Sequence, residues 1–235
     1  MNLGKVYLLP MLLHEEGWES IPANTKEWIQ HCDAFFAENE KTTRRFFKKV
    51  WKEIVIDNYI WHPIHKIEQT QIQVFTQLLQ EGKNIGIISE AGCAGIADPG
   101  QQLVAAAQNM GAIVKPYLAP SSILLSLMAS GMNGQLFQFH GYLPIDSVER
   151  KKKIQSLEID AKQRGCTQIF IETPYRNNQL LEALLQNLHP TTKICIGVDI
   201  TGPHESIITA TASHWKTNLP DLHKKLVVFL IGENS

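Results

Sequence analysis

The sequence feature that most constrains the fold is the segment at residues 84–100, where an apolar run leads into a loop of small residues. The run at 84–88 is apolar almost throughout, which is typical of a strand that a parallel sheet buries on both faces. The following loop is rich in glycine and alanine, and Asp98 and Pro99 can begin a helix, with Asp98 as its N-cap. Strand, loop and helix in this order predict an α/β fold.

The same alternation of short apolar runs and helical patterns continues along the chain. We expect strands at residues 5–9, 34–37, 84–88, 112–116, 136–141, 167–172, 193–200, 207–211 and 226–231. We expect one helix to begin near Asn24 and others at about 41–51, 67–80, 99–110, 123–130, 147–164 and 176–188. The turn at 201–206 is too short for a crossover connection, which predicts an antiparallel hairpin and a mixed sheet in the second half. The boundary near residues 117–120 gives domains 1–117 and 118–235.

Composition excludes several classes of protein. The chain has 235 residues, is 44% hydrophobic and has a formal net charge of −1 at pH 7. These values argue against a disordered chain and against a strong overall positive field for nucleic acid, but they leave a local basic patch open. The apolar stretches are shorter than the ~18 residues that span a membrane. Acidic residues follow the first apolar run, so we interpret that run as a strand rather than a signal peptide and expect a cytoplasmic protein.

The cysteines and histidines predict neither a disulfide framework nor a metal site. The four cysteines are widely spaced and form no C-x-x-C pair. His62 and His65 flank Pro63 without further ligands nearby, which disfavours a metal centre.

The loop within residues 87–100 is the first candidate site. Small side chains let backbone amides approach a ligand closely, and the loop follows the carboxyl end of a strand, where α/β proteins bind ligands. A tight strand-to-helix turn explains the same residues without any ligand. Neither G-x-G-x-x-G nor G-x-x-x-x-G-K-[ST] occurs, which disfavours dinucleotide-binding and phosphate-loop enzymes.

Two further turns precede helices. Ser121 and Ser122 follow a proline, and their hydroxyls can either cap the next helix or bind a polar ligand. Glu172 and Arg176, with Tyr175 between them, follow a strand. They can hold a substrate, or the two charges can form a surface ion pair.

Three charged segments remain open in the same way. His204 and Glu205 can move a proton or be merely solvated. Residues 41–52 include a cationic series in which phenylalanine and tryptophan are interleaved, and a second cluster lies at 151–153. Cations at helical spacing can contact RNA phosphates or form a solvated helix face.

Several segments occur in one order over nearly the whole chain, at residues 4–10, 88–100, 118–122, 129–132, 139–144, 149–157 and 169–176. Taken together they resemble the S-adenosylmethionine-dependent tetrapyrrole methylase superfamily. Within it, the chain is most similar to the small-subunit ribosomal RNA 2′-O-ribose methyltransferases, whose signature S-D-A-G-T-P-x-I-S-D-P-G aligns with residues 89–100.

This resemblance implies a two-domain α/β fold with a parallel N-domain sheet and a mixed C-domain sheet. It also implies an S-adenosylmethionine site in the cleft between the domains, and a homodimer. The positions that match the family's cofactor contacts are Pro10, Gly92, Cys93, Ala94, Ile96, Ser121, Ser122, Glu172 and Ile200.

A ribose hydroxyl must lose its proton during methyl transfer, and the candidates for that role are Glu38, His204 and Glu205. The candidates for holding the substrate are Arg44, Tyr175 and Arg176, of which the two arginines can orient a phosphate.

The segments that match the family's presumed substrate motifs differ more than the cofactor motifs. The motif R-E-L-T-K-x-H-E becomes residues 198–205, which keep threonine, histidine and glutamate but lose arginine and lysine. The expected activity is methylation of ribosomal RNA. Methylation of a tetrapyrrole or other small molecule, and a non-catalytic RNA- or ribosome-binding role, are the alternatives.

Overall fold

The structure is a computed structural model that describes residues 2–64 and 69–232. The chain divides into two compact units, residues 1–121 and 122–235. Each unit has its own five-stranded sheet and its own hydrophobic clusters. None of the helices in the described residues has the length and apolar composition that crossing a membrane requires.

The first unit alternates strands and helices. Its strands are β1 (Val6–Leu8), β2 (Pro10–Met11), β3 (Ala34–Ala37), β4 (Ile60–Pro63), β5 (Ile85–Ile88), β6 (Gly92–Cys93) and β7 (Val114–Pro116). Its helices are α1 (Thr25–Gln30), α2 (Glu40–Val50), α3 (Gln69–Gln80) and α4 (Gly100–Asn109), with short 3-10 turns at Trp18–Ser20 and Ile56–Asn58.

Five of these strands form a sheet in the order β4-β3-β5-β1-β7, and every pairing in it is parallel. β3 and β5 are buried along their whole length, because helices cover both faces of the sheet. One face packs on α3 and α4 through Phe75 and Leu103. The other packs on α1 and α2 through Ile29 and Phe47. The predicted parallel sheet is confirmed.

The second unit begins with a helix. Its helices are α5 (Ser122–Ser130), α6 (Ser147–Arg164), α7 (Asn177–Asn187) and α8 (Ala212–Thr217). Its strands are β8 (Phe137–Tyr142), β9 (Thr167–Ile171), β10 (Lys193–Val198), β11 (Ser206–Thr211) and β12 (Val227–Gly232).

The sheet of the second unit has the order β11-β10-β12-β9-β8. β8 and β9 are parallel, whereas the pairings of β12 with β9, of β12 with β10, and of β10 with β11 are antiparallel. The largest apolar cluster joins α6, α7 and α8 to one face, and a smaller one includes Leu127 of α5. The predicted mixed sheet and the predicted hairpin are both confirmed.

Three predictions about local structure need correction. The helix expected to start at Pro99 starts at Gly100, and Pro99 rather than Asp98 occupies the N-cap position. The strand expected to reach residue 200 ends at Val198, because Asp199 adopts a left-handed conformation with φ 53°. In addition, β4 at the sheet edge, α8 and the two-residue strands β2 and β6 were not predicted. The start of the helix expected at 67 and the histidine at 65 lie outside the described residues.

Candidate functional site

The carboxyl ends of four parallel strands place several predicted site residues at one edge of the first unit's sheet. β1 ends two residues before Pro10, and β3 ends directly before Glu38. β5 leads into residues 89–98, which we call the edge loop, and β7 leads to the turn at residues 117–121. Because all four strands run in the same direction, their carboxyl ends meet at the edge where α/β proteins bind ligands.

The edge loop turns sharply at its small residues. Gly92, Gly95 and Ala97 have φ values of 69°, 83° and 58°, in the left-handed region. Within the loop, β6 pairs antiparallel with β2, so that Pro10 lies opposite Cys93 and Met11 lies opposite Gly92. This two-residue ribbon brings the predicted positions Pro10, Gly92 and Cys93 together. Ala94 is buried beside them.

Gly92 is the position in the loop with the least space for a side chain. A Cβ there would lie 2.8 Å from the carbonyl oxygen of Pro120 and 2.9 Å from Cδ2 of Leu13. Both distances are shorter than real Cβ contacts, and φ is unfavourable for any residue with a Cβ. The backbones of the edge loop and of the 117–121 turn therefore approach each other closely at this point.

Cys93 joins the same two segments through its thiol. Its Sγ donates to the carbonyl oxygens of Ala119 at 3.5 Å and of Pro120 at 3.4 Å. Burial, together with the charge of Asp98, raises the pKa of the Cys93 thiol, which keeps the donor proton in place.

Asp98 holds the far end of the edge loop. Its carboxylate accepts hydrogen bonds from the backbone N–H of Gly95 at 2.6 Å and of Gly100 at 2.5 Å. Burial raises the pKa of the Asp98 carboxyl, and the hydrogen bonds from Gly100 and Gly95 act in the opposite direction. By contrast, the predicted cofactor contact Ile96 lies between these anchors and is 56% exposed.

Glu38, one of the three candidate bases, is half-buried directly after β3. Its Oε2 accepts from the backbone N–H of Glu90 at 2.9 Å, and its own N–H donates to the Ile88 carbonyl at 3.0 Å. Asn39 donates to the Glu90 carboxylate at 3.1 Å. Glu38 therefore also positions the start of the edge loop.

His204 and Glu205 lie in the turn between β10 and β11, in the second unit. Glu205 Oε2 accepts from the Thr201 N–H at 2.7 Å, and the His204 N–H donates to Asp199 Oδ2 at 3.2 Å. Both side chains are exposed, and Ile200 is buried at 5% exposure. The turn is strained at Asp199 and Thr201, whose φ values are 53° and 65°.

Ser121 ends the first unit and Ser122 begins α5 in the second. Both are partly exposed.

Glu172 and Arg176 form an ion pair at the turn between β9 and α7, with a distance of 2.6 Å between Nη2 and Oε1. Glu172 is 7% exposed, and its Oε1 also accepts from the Thr173 N–H at 2.6 Å. Tyr175 is 71% exposed beside this pair. Glu172 and Arg176 therefore neutralise each other within the fold. Tyr175 is the one of these three residues whose side chain faces solvent.

Arg44 is likewise engaged by neighbouring side chains. It pairs with Glu40 four residues earlier on α2, and its guanidinium lies 4.9 Å from the centre of the Trp61 ring.

Three residues that organise the site were not among the predicted site residues. Asp98 was predicted only as a cap, and no separate role was predicted for Asp199 and Thr201. Asp98 bridges two backbone N–H groups, and Asp199 and Thr201 adopt left-handed conformations, all of which depend on how each turn closes. Aspartate adopts the left-handed conformation only occasionally and threonine is not among the residues that favour it, so the sequence signal is weak at Asp199 and absent at Thr201.

Comparison with known proteins identifies the family to which the chain is similar. The family model for tetrapyrrole (corrin/porphyrin) methylases matches residues 17–215. The "Ribosomal RNA small subunit methyltransferase I" of Bacillus subtilis (strain 168) is 28% identical over 212 residues, which cover 90% of this chain and 69% of that protein. The protein of the same name from Vibrio cholerae is 35% identical over 140 residues, which cover 60% and 47%. For the second of these relatives, the chain thus spans about half the length.

Solved structures show the same fold at low sequence identity. The structure of the methyltransferase CobJ has a TM-score of 0.63 at 14% identity and covers 98% of this chain and 94% of its own. Cobalt precorrin-4 methyltransferase has a TM-score of 0.59 at 13% identity and covers 97% and 94%. With a family model that matches most of its length and a fold that these structures share, the chain belongs to the tetrapyrrole (corrin/porphyrin) methylase family.

Proposed function

We propose that this chain is an S-adenosylmethionine-dependent methyltransferase that modifies a ribose 2′-hydroxyl of small-subunit ribosomal RNA. The cofactor part of the proposal is carried by the contact between Gly92 and Pro120, where two loops at the carboxyl edge of a parallel sheet leave no space for a side chain. The acceptor part is supported by the ribosomal RNA methyltransferases at 28–35% identity.

The edge loop fits a group that must approach backbone closely. Its side chains at Gly92, Ala94 and Gly95 are small or absent, and Asp98 fixes the backbone by accepting two N–H groups. A nucleoside bearing a charged amino acid is recognised well by such preorganised backbone polar groups. We propose that Pro10, Gly92, Cys93, Ala94, Ile96, Ser121, Ser122, Glu172 and Ile200 hold the cofactor.

When bound, S-adenosylmethionine supplies an electrophilic methyl group on a sulfonium that is already a good leaving group. The protein's own residues then have three tasks, which are to align the nucleophile, to exclude water and to accept a proton. Pre-formed loops serve the first two tasks, because a loop that is already fixed loses little entropy on binding.

His204 is the candidate base that the contacts favour. Glu38 and Glu205 each use a carboxylate oxygen to hold a backbone N–H, of Glu90 and of Thr201 respectively. The side chain of His204 is exposed. Within residues 2–64 and 69–232, the hydrogen bond of His204 comes from its backbone N–H, and none comes from its imidazole ring. We propose that His204 takes the ribose proton and that the two glutamates position the loops on which the site depends.

The substrate contacts in this proposal are Tyr175, which is exposed, and the two paired arginines, Arg44 and Arg176. An arginine that shares a carboxylate keeps further N–H groups for a phosphate, since guanidinium has five donors. We also propose that the protein works in the cytoplasm, where ribosomal subunits are assembled, and that it is a homodimer. Light scattering of the purified chain tests the dimer directly.

The experiment that tests the proposed function combines cofactor binding with methyl transfer. Calorimetry with S-adenosylmethionine should show saturable binding in the micromolar range. Labelled methyl groups should appear at one ribose of small-subunit RNA from a deletion strain and not from its parent. Absence of cofactor binding contradicts the methyltransferase assignment. Binding without transfer to RNA contradicts the acceptor, and leaves a tetrapyrrole acceptor or a non-catalytic role to be distinguished by transfer to tetrapyrrole substrates.

His204→Gln separates the base from the positioning residues. We expect cofactor affinity to be unchanged and the transfer rate to fall about 100-fold or more. A merely structural change would weaken cofactor binding as well. Glu205→Gln is the matched comparison in the same turn, and it should keep most of the transfer rate, because glutamine can still accept from the Thr201 N–H.

A further inference from the structure

The segment at residues 41–52 concentrates positive charge in a way that the rest of the chain does not. It contains six lysine and arginine residues and no carboxylate. Because the whole chain has a net charge of −1, the remaining residues together have a net charge of −7. The positive field of this protein is therefore local, and most of this segment belongs to one helix, α2.

Helix α2 holds these cations on a rigid support. Phe46 and Phe47 are buried in the core beneath it, at 3% and 0% exposure, and Asn39 caps its first turn by accepting from the Thr42 N–H. The opposite side of the helix, together with the turn that follows it, presents exposed cations that we call the α2 cationic face: Lys41, Arg45, Lys48 and Lys49 on the helix and Lys52 in the turn. The first three follow an i, i+4, i+7 pattern, which places them on one side of the helix.

Aromatic rings lie beneath three cations of this region. The ammonium of Lys49 lies 5.5 Å from the centre of the Trp18 ring, and that of Lys26, on α1, lies 5.4 Å from the centre of the Trp51 ring. The guanidinium of Arg44 lies over Trp61. A ring restrains a cation without neutralising it, so the charges of Lys49 and Lys26 stay available to an external anion, whereas Arg44 also pairs with Glu40.

Helix α6 shows what a neutralised basic helix looks like in the same protein. It also carries a lysine cluster, but three of its cations pair with carboxylates on the same helix: Lys152 with Glu149 at 2.9 Å, Lys162 with Glu158 at 3.4 Å, and Arg164 with Asp160 at 3.0 Å. In α2, one ion pair is seen among the described residues, between Arg44 and Glu40.

We propose that the α2 cationic face binds the phosphate backbone of RNA, independently of base sequence, and supplies most of the electrostatic affinity for the substrate. This inference rests on the proposed function, because it assumes that the acceptor is RNA. Unpaired lysines and arginines displace the counterions of a polyanion on contact, which favours binding at low salt. Such contacts position the nucleic acid, and base identity is read elsewhere.

The composition of the face favours RNA over an anionic membrane. A helix that lies on a membrane inserts a row of large apolar side chains beneath its cations. Among the described residues, the exposed large apolar side chains nearest to α2 along the sequence begin at Val55, beyond the helix, and the phenylalanines of α2 face the core. A polyanion that is contacted by charge alone suits this surface better.

The test is a matched pair of triple variants. Lys41→Gln, Arg45→Gln and Lys52→Gln remove three exposed cations for which no ion pair or hydrogen bond occurs within residues 2–64 and 69–232. Lys151→Gln, Lys152→Gln and Lys162→Gln remove the same charge from α6. Affinity for a short single-stranded RNA and for small-subunit ribosomal RNA is measured by fluorescence anisotropy as salt is varied, after thermal unfolding has shown that both variants are folded.

We expect the α2 variant to bind RNA on the order of 100-fold more weakly at 0.1 M salt, with the salt slope reduced by about 2, since each lost phosphate contact removes ~0.7. The α6 variant should change the slope by less than about 0.5. Equal losses in both variants, or binding to phosphatidylserine vesicles but not to RNA, would overturn the inference. Cofactor calorimetry on the same variants keeps the two proposals separate. If the proposed function fails, S-adenosylmethionine is not bound, whereas failure of this inference leaves cofactor binding intact.

Discussion

Arg176 donates two hydrogen bonds to a single carboxylate oxygen of Glu172, from Nε at 3.1 Å and from Nη2 at 2.6 Å. The Glu172 side chain is 1% exposed and that of Arg176 is 30% exposed, so the carboxylate is buried and the guanidinium covers it. This pair closes the turn between β9 and α7, on which Tyr175 is displayed.

We expect Arg176→Ala to destabilise the protein by about 2–3 kcal/mol, because it leaves the Glu172 carboxylate buried without its cation. The double variant Glu172→Gln with Arg176→Ala should be less destabilised than the sum of the two single variants, since it buries no unpaired charge. Urea unfolding measures all four proteins of this cycle. Additive effects would show that the pair contributes no coupling energy.

Gly92→Ala should destabilise the first unit and weaken cofactor binding. The new Cβ meets the Pro120 carbonyl oxygen at 2.8 Å, in addition to a cost of about 1–2 kcal/mol for the left-handed conformation. Gly111→Ala is the matched control, because Gly111 has a similar φ of 73° but nothing within 4 Å of the added Cβ. Both variants are compared by urea unfolding and by calorimetry with S-adenosylmethionine. Equal losses of stability and unchanged cofactor affinity in both would contradict the close approach at Gly92.

Substitutions at Cys93 test whether its thiol aligns the two loops. Cys93→Val keeps the approximate volume but removes the donor to the carbonyl oxygens of Ala119 and Pro120. We expect cofactor affinity to fall about 5-fold, which corresponds to the ~1 kcal/mol of a modest hydrogen bond. Cys93→Ser retains a donor and should keep most of the affinity. A result in which valine and serine behave alike would exclude a role for the hydrogen bond.

The pKa of His140 leads us to expect that the free energy of unfolding depends on pH. Burial lowers the pKa of His140 from its usual value of 6.5, and the hydrogen bond with Gln168, at 2.6 Å, acts in the opposite direction. The unfolded chain then binds more protons than the folded chain below pH 6.5, so stability falls as the pH is lowered through this value towards the folded pKa. His62, whose pKa burial also lowers, contributes with the same sign.

His140→Gln should therefore flatten the loss of stability between about pH 7 and pH 5. Glutamine keeps a donor for Gln168 but cannot gain a proton. His223→Gln, at an exposed position, serves as the control. The urea midpoints of both variants and of the unmodified protein are measured at several pH values. If the midpoint of His140→Gln changes with pH in parallel with that of the unmodified protein, the role of His140 is refuted.

The regular elements were predictable because their signals are local. A run of apolar residues specifies β3 and β5, and the repeat of apolar and charged residues specifies α2 and α6, whatever lies elsewhere in the chain. β4 was missed because it lies at the edge of the sheet, where its residues are partly exposed and show no buried run. The helix start at Gly100 was missed by one residue because Asp98 accepts two N–H groups as a loop anchor.

The sequence by itself determined the alternation of strands and helices, the small residues of the edge loop and the order of motifs that indicates the family. The tertiary structure decided which of these residues act together. Gly92 with Pro120, and Glu38 with Glu90, are contacts between residues whose separation along the chain carries no periodic signal. Glu172 and Arg176 are only four residues apart, and only the structure showed the ion pair that their spacing left open. The left-handed turn at Asp199 and Thr201 likewise exists only because the strands on both sides pair and force the chain to reverse there. Local periodicity fixes elements through short-range sterics, whereas a site depends on where packing brings the ends of those elements.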